Sequence, residues 1–582
     1  MKQNRLLSKP IAYTIFGLTG FFFIFCLLTG RELAAEGNIL WTAGHTFQIL
    51  GISFVVGGAL GFLICLLFYR WAKSVNTVNM YNEDKRNANG QKDQAFRRIS
   101  CLLWKRADGK SSWIVFLGTL LFEFLAWLPA FLAYYPAICA YDIPVQTEQI
   151  VSGMYIDHHP LAHTLLLKGT MWLGETVFGS VNTGIGCYAL FQMLFLAAAF
   201  AFGVYCLHRH QVRRIWLFLV QLFCIFYPFH QYMSISVTKD TIFSAFFVLF
   251  LSALWEIVDG RKSYVPLFIF AGIGVILFRN NGKYAFLVLL FFILIAVIFG
   301  KERRIFWGKV LFLAAGTFLI GNLALSGIFR AVSAGQGDKR EMLSLPIQQL
   351  SRTMVYHGGV SVMPEDDGTM SDTDRALIND FILEEAYRDY RPDFADPVKS
   401  HTNTYVARYR AKDFLSTYLG LFFQYPGDYL NAALAVNAGY LYPGDVSHAY
   451  INAQEGQEAG GGYVQTRWDE LTLNERGIYK DSKWPGLMKR MEKWTNDNAY
   501  LKYPVLKYLF VPGVWFWFYL LLTGWLLINR KFAKCIPLML VFGYYLTLFL
   551  GPTVQLRYLY PVMAAFPFFI VLNASPKEKD AI

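Results

Sequence analysis

Charge is scarce in this chain. Only 16% of its 582 residues are Asp, Glu, Lys or Arg, against about a quarter in ordinary soluble domains, while 55% are hydrophobic and 17% aromatic. That balance excludes a disordered chain and an ordinary soluble enzyme, and selects a polytopic membrane protein. Cysteine is thin as well: there are eight, and the long polar region 330–508 has none, which excludes a disulfide framework there. The chain has no P-loop, no nucleophile elbow and no HExxH. The glycines of "GIGCYAL" and "AGIGVIL" lie inside apolar runs and read as close helix packing, so nothing points to energy from ATP. "LLTGRELAAEG" is a poor signal-peptidase site, and the first apolar run is expected to stay as an anchor.

Apolar runs are abundant. Crossing a hydrocarbon core takes about 17 to 25 residues, and about twelve runs approach that length: 10–29, 45–69, 112–135, 183–207, 215–235, 241–258, 264–279, 284–300, 306–329, 510–528, 535–550 and 557–573. The expected fold is an all-α polytopic membrane protein with an external α or α+β domain inserted before the last three spans. Residues 1–111 hold two spans and a basic loop, 112–329 a membrane core whose first external loop is 136–182, 330–508 the inserted domain, and 509–582 the last three spans and a tail.

A net charge of +12 in a soluble chain would suggest nucleic acid. Here the basic residues concentrate in the loop 70–111 and in alternate short loops, "RHQVRR", "GRK", "KERR" and "RKFAK". The positive-inside rule makes that side cytoplasmic, together with both termini, and leaves no nucleic-acid partner to invoke. The opposite, external side receives 136–182, the turns "SVTKD" and "FRNNGK", the domain 330–508 and the turn "GPTVQLRYLYP".

The polar residues worth singling out lie on that external side. "CAYDIPVQTEQIVSGMYIDHHPLAH" carries Asp142, Asp157, His158, His159 and His163, then runs into "LAHTLLLKGTMWLGETVF", amphipathic enough to lie in the interface plane. Asp142 near the headgroups suits a general base toward a hydroxyl. His159 and His163, four apart, share a helical face and are compatible with a divalent metal such as Mg or Mn. The plain alternative for both is a hydrogen-bonded loop with no chemistry. Lys239 and Asp240 in "SVTKDTIF" either neutralise each other or line a polar cavity, and the lysine suits a phosphate. Arg279 and Lys283 in "FRNNGK", and Arg557 and Tyr558 in "QLRYLYP", repeat the cationic theme. Together these turns could clamp a phosphate or diphosphate at the membrane surface. Trp468, Trp484 and Trp494 read more simply as interfacial anchors than as platforms for sugar rings.

An external aspartate after a span, followed by a D-H-H-P-L step into an amphipathic segment, resembles the first external loop of the C-type glycosyltransferase (GT-C) superfamily. That superfamily includes protein mannosyltransferases, oligosaccharyltransferase catalytic subunits and the aminoarabinose transferases that modify lipid A. "LRYLYP" is similar to the RYLLP turn near the end of many such chains, and "FRNNG" to their R-x-N-G turn; the likeness covers most of 112–573 in layout. The chain also resembles uncharacterised membrane proteins of Gram-positive bacteria.

The resemblance implies transfer of a sugar from a polyprenyl-phosphate-linked donor to a cell-envelope glycan, lipid or protein on the external face, with membrane lipids as surroundings and no soluble cofactor. It implies that Asp142 takes the acceptor's proton, that Lys239, Arg279, Lys283, Arg557 and Tyr558 hold the donor phosphate, and that Asp157, His158, His159, His163 and Asp240 shape the acceptor pocket or bind a metal. Two features depart from the pattern: the second external loop offers Lys239-Asp240 in place of an acidic pair, and the large domain precedes the last three spans. The rival expectations are a transporter or flippase of lipid-linked sugars, which would need discontinuous helices and charges at mid-membrane, a polysaccharide polymerase or ligase, and a nonenzymatic scaffold. Glu123 is an isolated acid within a span.

Overall fold

The computed structural model describes residues 6–86, 109–140, 142–337, 343–444, 469–497 and 499–574. Most of the basic loop 70–111, the Gly-rich stretch "NAQEGQEAGGGYV", Trp468 and the tail beyond 574 lie outside the described residues. Among the described residues β pairing is limited to isolated bridges. Eight helices there are long and apolar enough to cross a bilayer, or nine with one bent pair counted as a span, and three shorter apolar helices accompany them. The chain is an all-α polytopic membrane protein.

Helix α1 (Lys9–Glu36) packs against α2 (Ala43–Ile52) and its continuation α3 (Gly58–Arg86). Gly20, Gly57 and Gly61 let the two backbones touch, because a Cβ on any of them would collide with the opposing main chain. The membrane core follows with α4 (Gly109–Ala133), α5 (Ile143–Ser152), α6 (Leu161–Phe178) and α7 (Val181–Arg209). The fifth apolar run, read from the sequence as one segment, is two helices: α8 (Arg214–Phe226) and α9 (Pro228–Ile235), bent by 52°. Pro228 supplies no amide hydrogen and disfavours helical backbone at Tyr227, which is extended at φ −66°, ψ 113°.

Then come α10 (Lys239–Val258), α11 (Val265–Leu277), α12 (Asn280–Phe299) and α13 (Arg304–Ala331). Helix α10 is apolar on every side and buried along nearly its whole length, as expected of a central helix. Whatever stands at its first turn is therefore held at the middle of the bundle.

The inserted region begins with α14 (Ser344–His357) and includes α15 (Ala411–Gln424), α16 (Pro426–Leu441) and α17 (Pro485–Asn496). It has a core of its own, with Ile347, Leu350, Met354, Phe381 and Tyr387 fully or almost fully buried. The stretch "DTDRALINDFILEEAYRDY" is helical only as far as Asn379, then turns and ends in a short 3-10 stretch. There the Asn403 amide donates to the Phe381 carbonyl at 2.8 Å and Ile382 bridges Thr402, so tertiary pairing overrides local helical preference. The last helices are α18 (Pro512–Ile528), α19 (Leu538–Leu548) and α20 (Leu556–Ala574).

The inserted region caps one end of the bundle through several polar ties. Arg476 Nη1 donates to the Pro144 carbonyl and to Thr147 Oγ1, both at 2.6 Å. The Ala395 amide donates to the Pro552 carbonyl at 2.8 Å, and Tyr232 Oη donates to the Met491 carbonyl at 2.7 Å. Trp484 is exposed on the cap, while Trp494 is half-buried and stacks on Tyr503.

Within the cap, His357 bridges two carboxylates, with Nε2 2.8 Å from Asp428 and Nδ1 3.0 Å from Asp367. Both nitrogens can donate only as imidazolium. The bond to Asp428 first, and that to Asp367, raise the His357 pKa above its ordinary value against the opposing effect of burial. A raised histidine stabilises the fold fully below its unfolded pKa of about 6.5, and that contribution is lost as pH climbs through the folded value. The melting temperature of the purified protein is therefore expected to fall between about pH 6 and about pH 8, and His357→Gln to flatten that slope. An unchanged slope in the variant would assign it elsewhere.

Candidate functional site

Three cations stand at three helix starts on the capped end. Lys239 is the first residue of α10, Arg279 directly precedes α12, and Arg557 is the second residue of α20. Unpaired amides and the helix macrodipole make each start positive before any side chain is counted. Such a concentration needs anions, and the structure supplies two carboxylates.

Asp240, fully buried, pairs with Arg279 and lies 3.5 Å from Arg557 Nη1, while Thr238 Oγ1 donates to it at 3.1 Å. Arg279 is also boxed by aromatic faces: its guanidinium lies 5.0 Å from the centre of the Tyr558 ring and 5.7 Å from that of Tyr544. Tyr558 Oη accepts from Arg557 Nη2 at 3.2 Å, and Arg557 Nε donates to Gln555 at 2.7 Å.

The upper tier is centred on Asp142. Its Oδ2 receives Lys239 Nζ at 2.5 Å, with Arg557 Nη1 at 3.6 Å and His159 Nδ1 at 4.0 Å. Lys239 Nζ also lies 3.2 Å from His159 Nδ1, whose lone pair accepts from the ammonium. Asp142 sits at the N-cap position of α5, where an aspartate normally caps its own helix, yet its side chain makes no capping bond. Burial alone would raise its pKa, but Lys239, then Arg557 and His159, outweigh that and hold the carboxyl well below the usual range. Burial first, then Lys239, push His159 down to about 3, so the imidazole is neutral.

His163 has a different task from the one its spacing suggested. Its Nε2 is 2.7 Å from Tyr188 Oη and its Nδ1 is within hydrogen-bond reach of the Gln146 amide. Tyr188 donates to Gln192 Oε1 at 2.9 Å. Gln192 Nε2 in turn reaches the carbonyls of Met233, Ser234 and Ser236, at 3.2, 2.9 and 2.8 Å. A chain of bonds thus runs from α5 through α6 and α7 to the turn that delivers Lys239. With both ring nitrogens occupied, His163 is not half of a metal pair with His159. Among the described residues no group of three His, Cys, Asp or Glu is placed to hold a metal ion.

The other sequence candidates fall outside the cluster. Asp157 is exposed and accepts from the Gly337 amide, fastening the loop to the segment after α13. His158 is exposed and touches the cluster only through ring contact with His159, at 4.5 Å. Lys283 lies over the Tyr284 ring, 4.9 Å from its centre. Sequence reasoning overlooked Gln146, Tyr188 and Gln192. The signal was present in Gln192, an amide alone in the apolar run "LFQMLF" that demands buried partners. It also left Glu123 isolated, whereas Gln221 Nε2 donates to it at 3.2 Å across the α4–α8 contact.

These features define the class: a multi-pass membrane protein with a buried, net-cationic cluster at the end of the helix bundle that the region between α13 and α18 covers. The chain belongs to the family DUF6020, described as a family of unknown function, whose model matches residues 150–581. Lys239, Asp240, Arg279, Arg557 and His159 fall within the match and Asp142 precedes it. Neither a curated protein nor a solved structure matches the chain.

Tyr188→Phe removes the middle of the chain and leaves both His163 Nε2 and Gln192 short of a partner. The loss is expected to be about 1–3 kcal/mol, read as a lowered melting temperature in lipid nanodiscs. Unchanged stability would mean that the chain does not brace the Lys239 turn.

Proposed function

We propose that this protein is a membrane glycosyltransferase of GT-C type, which moves a sugar from a polyprenyl-phosphate-linked donor to a cell-envelope acceptor on the external face. In this reading the twelve apolar helices all span, both termini are cytoplasmic, the 330–508 domain is extracytoplasmic, and α6 lies in the interface with Trp172, Val177 and Phe178 turned to lipid. One observation carries the proposal: ionisable side chains from separate segments, Asp142, His159, Lys239, Asp240, Arg279 and Arg557, converge at the capped end of the central helix.

A donor whose tail stays in the bilayer presents its phosphate at headgroup level, where helix starts can reach it. The acceptor hydroxyl gives its proton to Asp142. The new bond forms from its oxygen to the anomeric carbon as the bond from that carbon to the phosphate oxygen breaks. The polyprenyl phosphate leaves with added negative charge, which Lys239, Arg557 and Arg279 stabilise. The cluster's three cations against two carboxylates leave one net positive charge to meet that demand.

A transporter of lipid-linked sugars is the second reading, favoured by the bend between α8 and α9 and by the buried groups beside it. There Glu123 pairs with Gln221, and His230 Nδ1 lies 3.0 Å from Tyr560 Oη. Broken helices around buried polar groups are common in transporters.

For the transferase, Asp142→Asn is expected to cut sugar transfer by at least about 100-fold with the protein still folded. Mass spectrometry of lipid-linked sugars in a strain carrying that variant should show the unconsumed polyprenyl-phosphate sugar. Normal turnover would remove Asp142 from the mechanism, and transbilayer movement of the lipid-linked sugar in vesicles without its consumption would favour the transporter. Arg557→Ala is expected to weaken donor binding roughly tenfold or more and to leave acceptor binding nearly unchanged; equal losses for both would contradict the phosphate role.

A further inference from the structure

The two carboxylates of the cluster are not equivalent. Asp240 lies beneath, fully buried, and is bound by Arg279, Arg557 and Thr238 together. Asp142 lies above, at the end of a loop, with 14% of its side chain open to solvent. A single oxygen, Oδ2, takes Lys239 and faces Arg557 and His159, as one oxygen of a phosphate would. The Asp142 carbonyl accepts from the Gln146 amide at 3.1 Å, but no capping bond ties its carboxylate to the helix. If Asp142 withdraws, Lys239, Arg279 and Arg557 face Asp240 alone, and the site gains a second net positive charge, matching a phosphate monoester dianion.

We propose that the Asp142 carboxylate is an internal stand-in for an oxyanion of a phosphate or diphosphate group, so that anion binding at Lys239 and Arg557 and release of Asp142 are one exchange. The exchange deepens the transferase reading and rests on it only for the use then made of the carboxylate. Held by the cations, Asp142 is too weak a base to accept a hydroxyl proton. With the cations engaged by phosphate, its proton affinity returns toward that of an ordinary aspartate. Base strength would then appear only when a phosphate is seated, which couples the chemistry to donor binding. Binding also competes with an intramolecular anion, so the wild-type affinity for simple phosphates is reduced by the cost of displacing it.

The test needs neither sugar nor acceptor, so its outcome is separate from that of the transferase assay. Full-length protein in nanodiscs is titrated calorimetrically with inorganic phosphate, and separately with geranyl monophosphate, for wild type and Asp142→Asn. The exchange predicts binding at least about tenfold tighter in the variant, although the same substitution is expected to cut transfer. Tightening with both probes identifies the phosphate as the recognised group, and tightening with geranyl monophosphate alone adds the bilayer as its source. Infrared difference spectra of the wild type supply the second measurement: phosphate should shift a carboxylate band that is missing from Asp142→Asn. Unchanged or weaker binding in the variant overturns the proposal. So does tightening without the wild-type band, since loss of repulsion alone would then suffice.

Discussion

A charge taken out of water must meet its opposite, and the arrangement of this molecule follows from that requirement. Removing Lys239, Arg279 and Arg557 from solvent at helix starts would be prohibitively costly without carboxylates within a few ångströms. Asp240 answers from the same turn as Lys239, and Asp142 answers from a loop nearly a hundred residues earlier. Because ion pairs at low dielectric are intolerant of distance, α10, α12, α20 and the start of α5 are fixed relative to one another by charge as well as by packing.

Rigidity of that kind needs support where the backbone is irregular. The end of α9 and the turn into α10 would otherwise leave the Ser234 and Ser236 carbonyls facing an apolar interior. Gln192 satisfies them from within a span, and Tyr188, His163 and Gln146 extend the support to the loop that carries Asp142. Such a polar chain is stabilising only when every member is satisfied, which explains why a neutral histidine suits position 163 better than a charged one.

The sequence made some of this legible and hid the rest for physical reasons. Length and hydropathy place the helices well, since the apolar runs counted in the sequence fall on helices, but the fifth is two helices, and the kink before Pro228 required the pre-proline effect to be given more weight than the hydropathy around it. The cationic turns are visible because charge is rare in an apolar chain, and sorting them by side groups Lys239, Arg279 and Arg557 from the sequence alone. That Lys283 and Asp157 would not join them was invisible, because a neighbouring ring beside the one and a competing backbone amide beside the other decide it. His159 and His163 show the same limit: spacing of four gave them a common face, and the partners awaiting each ring gave them unrelated tasks. In the cap, short polar segments carry weak local preference, so long-range pairing such as that of Phe381 with Asn403 decided the outcome.

Among the described residues the cap places no charged side chain in the cluster, yet it grips the segments that do. Arg476 holds the first turn of α5 just after Asp142, Met491 receives Tyr232 from the helix before Lys239, and Ala395 with Asp393 fastens residues 552 and 553, just ahead of Arg557. The cap thus works as a jig for parts it never touches chemically. Two chains with identical charged residues but differently shaped caps would set different separations among them, so the geometry of the cluster can drift through cap residues alone.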